Sequence, residues 1–417
     1  MCTNLMISVP SNPGQSPPDE TKMHVSARAL EMPGVLEQSV YVMSSSQTWP
    51  LHAFDADEAL HRWTTLRWTS KYGFVGIAPS GTAWELMPSF NDGINTEGLS
   101  VGGLWLAPGT EYAPVGTQEN QVSFLDFPAW ILGSFASVEE LLRAMTTITV
   151  VGPPPPTQDQ PSPFYIPLHY VVTDSKGHSA VIEFIEGKAK VHISKDAVLT
   201  NWPTYDWHAT NVKDYFNLSP FGAGTSTTGK GNPVGGGLIG LPGDALSASR
   251  FVKATILSRS INEHLPKDGA GWLPAPGVLP STKPSKKPPP PGFADSEQTA
   301  VTVALQLVQI AMGTPYGMLL EKVDDSPDTT NSPITATPTP KATYGDYTMW
   351  SCVRDHTHRT YYFMSAFSGI LTKIDLNAMD FAAAPPYPKN ATLAVLPQPN
   401  VPWCVDATSR LTTPTSA

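Results

Sequence analysis

Pro167-Leu-His-Tyr-Val-Val-Thr-Asp174 runs into Ser175-Lys-Gly177, then His178-Ser-Ala-Val-Ile-Glu-Phe-Ile-Glu186, Gly187, and Ala189-Lys-Val-His-Ile193. Three β-branched and aromatic runs are separated by two short polar turns containing glycine. That pattern predicts three consecutive antiparallel strands. Further along, Tyr344 to Val353 and Thr360 to Phe367 predict a second hairpin, with Asp355 to His358 near its turn. Helical signals stand apart from these strands. Ser137-Val-Glu-Glu140 has the form of a capping box, and Val138, Leu141, Leu142 and Met145 follow at helical spacing. Ser247 to Ile261 and Asp295 to Met312 predict two longer helices, the second apolar at Val301, Ala304, Leu305, Val308 and Ala311. Hairpins with segregated helices indicate an α+β layered domain.

Proline interrupts this pattern in blocks. The 43 prolines concentrate in three clusters, near 152–163, 266–293 and 324–343. A further Pro/Gly-rich stretch covers 11–21. All four read as insertions without regular structure in one domain spanning 2–417. Gly224 to Gly231 nearly spells a phosphate-binding loop, but Gly231 stands where Mg²⁺ needs a hydroxyl, so a flexible loop is the reading.

Composition narrows the function classes. Of 417 residues, 41% are hydrophobic and only 15% charged, with a formal charge of -10. That is enough apolar material for a large core, and no basic stripe exists to bind nucleic acid or an anionic membrane. No apolar run approaches the ~20 residues that span a bilayer, and no basic-then-apolar leader precedes residue 10. A soluble, cytoplasmic chain is expected. Three cysteines, Cys2, Cys352 and Cys404, make neither a disulfide framework nor a zinc site. His356 and His358 lack a third ligand, and no metal is expected.

Cys2 is the cysteine with chemical promise. Initiator methionine is normally trimmed before a small second residue, which leaves a thiol and a free α-amine on one residue. A thiol with pKa ~8.5 needs a base, and an α-amine with pKa ~7.7–8.0 suits that task. Alone, a Met-Cys start is a weak signal. Other blocks strengthen it: Val25-Ser-Ala-Arg28-Ala-Leu-Glu31; Asp92-Gly-Ile-Asn95-Thr-Glu-Gly-Leu99; Gly103-Leu104-Trp105; Leu199-Thr-Asn201-Trp-Pro-Thr-Tyr-Asp-Trp-His208; and Gly240-Leu-Pro-Gly-Asp244-Ala-Leu-Ser-Ala-Ser-Arg250-Phe251.

In this order the blocks resemble the choloylglycine hydrolase and penicillin V acylase family of N-terminal-nucleophile hydrolases. The resemblance runs from Cys2 to about Ile261, and more weakly over the hairpin from Tyr347 to Asn377. It implies a four-layer αββα sandwich and hydrolysis of a linear amide, without metal or organic cofactor. It implies Cys2 as nucleophile with its own amine as base, and Arg28 beside the thiol. Glu31, where the family most often has aspartate, would hold the amine. Asn201 would be the oxyanion donor and Arg250 a second active-site arginine. Trp105 stands where bile-salt-cleaving members commonly carry Asn, so it would offer the oxyanion only a backbone N–H. This matches the Gram-negative-type branch, whose members favour penicillin V and acyl-homoserine lactones over conjugated bile salts. Fatty N-acylethanolamine or ceramide-type amides are the alternative substrates, and an inactive scaffold binding partners through its proline-rich inserts is the alternative function. A homo-oligomer, a tetramer in the family, is also implied. Arg28 lies 26 positions after Cys2, so 11–21 must form an enlarged hairpin loop if Arg28 is to reach the thiol.

Overall fold

The computed structural model describes residues 1–10, 22–32, 36–51, 63–80, 88–117, 119–157, 165–218, 236–264, 296–312, 346–365, 368–386 and 389–395. Most of the expected proline-rich insertions, the Gly224 to Gly231 loop and Cys404 lie outside these residues. In chain order the strands are β1 (Cys2–Pro10), β2 (Lys22–Met32), β3 (Gln38–Met43), β4 (Thr48–Trp49), β5 (Trp68–Thr69), β6 (Phe74–Pro79), β7 (Asp92–Asn95), β8 (Ser100–Trp105) and β9 (Gln121–Ser123). They continue with β10 (Thr149–Val151), β11 (Leu168–Thr173), β12 (Ser179–Ile185), β13 (Lys188–Ser194), β14 (Tyr347–Asp355), β15 (Thr360–Ser365), β16 (Thr372–Asp375) and β17 (Thr392–Ala394). The α-helices are α1 (Phe127–Ser134), α2 (Val138–Ala144), α3 (Tyr205–Asn211), α4 (Ser247–His264) and α5 (Ser296–Met312).

Two antiparallel sheets dominate. One has the order β1-β2-β14-β15-β16, the other β13-β12-β11-β8-β7-β6-β3-β17. Their inner faces meet in a core that includes Met6, Leu30, Val75, Ile77, Ile94, Leu104, Trp350 and Phe363. Helices α4 and α5 pack on the outer face of the first sheet, where Leu5, Ile7, Val9, Val25, Ala27 and Ala29 meet Phe251, Val252, Ala300 and Ala304. Helix α1 packs against β7 and β8 of the second sheet. Its residues Phe127, Ile131 and Leu132 share a core with Val101, Tyr170 and Phe184. The result is the expected αββα sandwich.

The local chemistry of the expected elements is plain. Glu186 and Gly187 both take positive φ, 52° and 73°. That conformation matches the twist of a tight hairpin turn and joins β12 to β13. Ser137 Oγ accepts from the Glu140 N–H at 3.2 Å and starts α2. Glu140 reaches back to the N–H of Ala136 at 2.9 Å, one residue before the cap itself. His356 donates and accepts within the fold, with Nδ1 2.9 Å from Gly98 O and Nε2 2.8 Å from Ser26 Oγ. His358 Nδ1 lies 2.7 Å from Asp355 Oδ2.

The alternation of β1 and β2 decides where the chemistry falls. Odd positions of β1 face the helices, and the even ones, Cys2 and Met6, face the other sheet. The β1–β2 register sets Cys2 opposite Leu30 and Asn4 opposite Arg28. Strands β1 and β2 therefore pair without a break, and Arg28 points into the same layer as Cys2.

Candidate active site

Cys2 begins β1 and is 3% exposed, deep between the sheets at their edge. Arg28 Nη2 lies 3.9 Å from its Sγ. Both Nη atoms of that guanidinium are also held by oxygens, while Nε is buried without a partner. Its Nη1 donates to Asn91 O at 2.7 Å and to Asp92 Oδ2 at 3.0 Å, and Nη2 also donates to Gly103 O. Its Cζ lies over the Trp350 ring, 5.0 Å from the centroid. Burial works against the charge of Arg28, but Asp92 together with the Cys2 and Cys352 thiols more than offsets it, and the guanidinium is held firmly protonated.

Asp92 serves two arginines. Arg354 Nη2 donates to the same Oδ2 at 2.9 Å and to Asn4 Oδ1 at 3.0 Å. Tyr361 donates to Asp92 Oδ1 at 3.0 Å, and Cys352 Sγ approaches that oxygen at 3.4 Å. Burial, with Asp92 adding to it, pushes the Cys352 thiol up to about 12. Cys352 is thus a poor nucleophile and packs as an ordinary buried residue.

Arg250, on α4, approaches from the opposite side. It donates from Nη1 to Cys2 O and, at 2.8 Å, to Thr3 Oγ1. Its Nη2 donates to Asn201 Oδ1 at 2.6 Å and its Nε to Ala245 O at 2.8 Å. Burial lowers its pKa, and Glu31 is the first group to oppose that.

Asn201 is the junction. Its Oδ1 accepts from both Arg250 and the Cys2 N–H, the latter at 2.9 Å. Arginine can only donate, so the atom facing it is the carbonyl oxygen and the amide orientation is fixed. Nδ2 then points the other way and donates to Trp105 O at 2.7 Å. The carbonyl of Trp105, at the end of β8, is therefore what meets Asn201 in this structure.

Glu31 is 1% exposed. Its Oε1 accepts from Thr348 Oγ1 at 3.0 Å, and Oε2 is buried without a partner. Burial raises its pKa to about 7 against the pull of the terminal ammonium and Arg250. That ammonium belongs to Met1, which donates to Asp346 Oδ2 at 2.7 Å and to Glu31 O at 2.6 Å. With Met1 in place, Cys2 N is a peptide N–H directed at Asn201, and Glu31 keeps one oxygen open.

All six residues singled out in the sequence, Cys2, Arg28, Glu31, Trp105, Asn201 and Arg250, thus gather in one region. Sequence reading missed Asp92 as the arginine counter-ion, although it quoted the block containing it. It missed Arg354 altogether, since a lone arginine in a strand carries no signal. A surface depression of about 500 Å³ lined by Ser45, Lys71, Thr96, Asn377, Met379 and Phe381, among others, involves none of these residues. Among the described residues, no cluster of His, Cys, Asp and Glu could hold a metal, and no helix is long and apolar enough to cross a membrane.

Comparison with known proteins shows the family. Residues 17–270 match the family model of linear amide C–N hydrolases, choloylglycine hydrolase family. A penicillin V acylase of Pectobacterium atrosepticum is 30% identical over 322 residues, covering 76% of this chain and 70% of that protein. A bile salt hydrolase/transferase of Clostridium perfringens is 35% identical over 199 residues, and the match covers 45% of this chain and 57% of that enzyme. Among solved structures, a conjugated bile acid hydrolase variant from Clostridium perfringens superposes with TM-score 0.64 at 21% identity, covering 94% of this chain and 96% of that one. Penicillin V acylase from Agrobacterium tumefaciens superposes with TM-score 0.58 at 21% identity, covering 94% and 90%. These superpositions show the shared fold.

Proposed function

Because the chain belongs to the choloylglycine hydrolase family of linear amide C–N hydrolases, we propose that it cleaves an acyl amide with Cys2 as nucleophile once Met1 is removed. The observation that carries this reading is the convergence on one buried cysteine of two arginines and an asparagine from distant segments. Arg28 stands 3.9 Å from Sγ, while Arg250 and the Cys2 N–H share Asn201 Oδ1.

The steps follow from the groups. Removal of Met1 converts Cys2 N from a peptide N–H into an amine that can take the thiol proton. The open oxygen of Glu31, until then without a partner, accepts a hydrogen bond from that amine. Sγ attacks the substrate carbonyl, and the bond to carbon forms as charge moves to oxygen. Asn201 Nδ2, exchanging Trp105 O for the new oxyanion, stabilises that charge together with the Trp105 backbone N–H. Arg28 and Arg250 favour the negative charge in a dry site. The C–N bond then breaks, the amine leaves with the proton from the Cys2 α-ammonium, and water releases the acyl group from sulfur.

The substrate is an acyl amide of the kind represented by penicillin V, a conjugated bile salt or an N-acyl-homoserine lactone. An apolar acyl group fits the surroundings. Trp202 and Leu246, neighbours in sequence of Asn201 and Ser247, are 44% and 70% exposed. The Trp202 ring lies against the turn after Trp105, since a Cβ at Gly109 would come within 2.6 Å of it. No metal or cofactor is required, and the homo-oligomer common in the family is the assembly proposed here.

The test is a four-substrate panel of penicillin V, glycine-conjugated bile salt, N-acyl-homoserine lactone and N-acylethanolamine, with products detected by mass spectrometry. The wild-type chain releases free acid from at least one, and Cys2→Ala abolishes that release. Unchanged turnover by Cys2→Ala would falsify the assignment of the nucleophile. Intact mass of the active preparation shows Met1 absent.

A further inference from the structure

Asn201 sits in a bend, not in a ladder. The last regular contact before it is the bridge between Leu199 and Asn4, with N–O distances of 2.8 and 3.1 Å. Residues 201–203 then turn away to α3. Something other than strand pairing must fix the peptide that carries the oxyanion donor.

The backbone partners are side chains. The Asn201 N–H donates to Ser247 Oγ at 2.9 Å. The Asn201 carbonyl accepts from His208 Nε2 at 2.9 Å. The preceding carbonyl, Thr200 O, lies 3.1 Å from His169 Nε2, and His169 Nδ1 lies 3.2 Å from Glu183 Oε1. Glu183 Oε1 also accepts the N–H of Tyr205, the first residue of α3, at 2.9 Å. Two successive carbonyls are thus each tied to a buried imidazole.

His208 is the tie that reaches furthest. It is 0% exposed, and its ring stacks on Phe251 with centroids 4.7 Å apart and planes 8° from parallel. Phe251 follows Arg250 on α4, and Ser247 begins that helix. The imidazole therefore joins the Asn201 carbonyl to the helix that supplies both Arg250 and Ser247. A carbonyl only accepts, so Nε2 carries the hydrogen. Nδ1 is buried without a partner and is the bare nitrogen of the neutral ring. Burial holds its pKa down at about 4, which suits a fixed donor and not a proton shuttle.

We propose that His208 is a positioning residue for the oxyanion donor. It holds the Asn201 peptide so that Nδ2 meets the developing oxyanion while Oδ1 stays on Arg250 and Cys2. This rests on the reading of Asn201 and Cys2 given above. It adds a residue in contact with neither sulfur nor substrate, whose loss is felt in the chemical step. A displacement of about 1 Å in such a group can cost roughly 10²-fold in rate.

Two substitutions separate positioning from packing. His208→Phe keeps the flat ring against Phe251 but deletes the donor. His208→Gln restores a donor near Nε2 without the ring. Measured on the panel amide that the wild type turns over fastest, His208→Phe is expected to lower kcat about 10- to 100-fold. KM stays within about twofold, since the contact acts on the transition state and not on the bound amide. The rate of Cys2 alkylation by iodoacetamide is unchanged, and His208→Gln recovers most of kcat. If His208→Phe does not fold, Ser247→Ala removes the other side of the clamp and is expected to show the same split. A lower melting temperature with unchanged kcat would overturn the proposal, because packing alone predicts that result. So would a parallel loss of Cys2 alkylation, which would mean His208 acts on the sulfur. Either outcome in a chain whose activity Cys2→Ala abolishes leaves the nucleophile assignment standing. Activity retained by Cys2→Ala would instead remove that assignment itself.

Discussion

Arg28 reaches Cys2 from the neighbouring strand and meets a carboxylate, Asp92, at 3.0 Å. Arg250 reaches it from α4 and meets only uncharged oxygens: two backbone carbonyls, the Thr3 hydroxyl and the Asn201 amide. Both side chains are fully buried. Their pKa shifts have opposite signs, upward for Arg28, where Asp92 and the two nearby thiols together outweigh burial, and downward for Arg250, where burial wins. The same residue type thus does two jobs a few ångströms apart. Arg28 belongs to a group of two arginines on one carboxylate that locks the two sheets together, because Asp92 lies on one sheet and Arg28 and Arg354 on the other. Arg250 is a cation kept without a hydrogen-bonded counter-ion beside Cys2, so on the proposed mechanism its charge is available to an anionic transition state.

The comparison breaks most visibly at Asp92. Asp92→Ala strands two buried guanidiniums and is expected to cost about 3–5 kcal/mol of stability, read from urea midpoints. A loss below about 1 kcal/mol would mean Asp92 is not their counter-ion. Arg250→Met has the reverse profile. It strands no carboxylate, so stability falls less, while kcat falls about 10²–10³-fold. If Arg250→Met and Asp92→Ala reduce stability equally while kcat per folded molecule is unchanged in the former, the division of labour is wrong.

How much of this was legible before the fold was known follows from the same contrast. The strands of 168–194 announce themselves because each alternates and ends in a polar turn, and α2 because Ser137 caps it. Strands β7 and β8 do not. Asp92–Asn95 and Ser100–Trp105 are short and glycine-rich, with weak β propensity. Their composition answers a need in the opposite sheet. A Cβ at Gly102 would lie 3.2 Å from Arg28 Cδ and 3.4 Å from Arg354 Nη2. The glycine makes room for the arginines, and no local pattern encodes that requirement. Cys2, Arg28, Glu31, Trp105, Asn201 and Arg250 were found through ordered blocks resembling a family, not through periodicity. Arg354 and the role of His208 stayed hidden because they act through pairings 250 or more residues apart, or through a backbone carbonyl.

Glu31 sharpens the comparison, because it is the first carboxylate to act on Arg250 and is itself raised from 4.5 to about 7 by burial. A carboxyl whose folded pKa lies above its unfolded value binds its proton more tightly when folded. The stability this group contributes is therefore fully present below about 4.5, declines as pH rises toward about 7, and is lost above. The expected loss from this group is roughly 3 kcal/mol across that window. With Met1 retained, by expression with methionine aminopeptidase inhibited, urea midpoints show this decline and Glu31→Gln removes it. In the chain lacking Met1, the proposed pairing of the new Cys2 ammonium with Glu31 would keep the carboxylate ionised, so the decline is expected to shrink. Identical profiles for both forms would mean Glu31 does not hold the amine.

Thr3 gives the smallest and most selective change. Its hydroxyl accepts from Arg250 Nη1 at 2.8 Å, and it is one of four oxygens around that guanidinium. Thr3→Val keeps the shape and deletes the acceptor. A hydrogen bond to a charged donor left unmade in a dry site costs about 1–3 kcal/mol, and the lower end applies here because Nη1 retains Cys2 O. A loss of about 1 kcal/mol in stability is expected, with kcat within a fewfold of wild type. Arg250 has no hydrogen-bonded carboxylate to fall back on. At Arg28 the loss of one neutral acceptor would be masked by Asp92, while at Arg250 it has to appear. If Thr3→Val leaves both the urea midpoint and kcat untouched, the uncharged oxygens do not hold Arg250, and Glu31 must be its true partner.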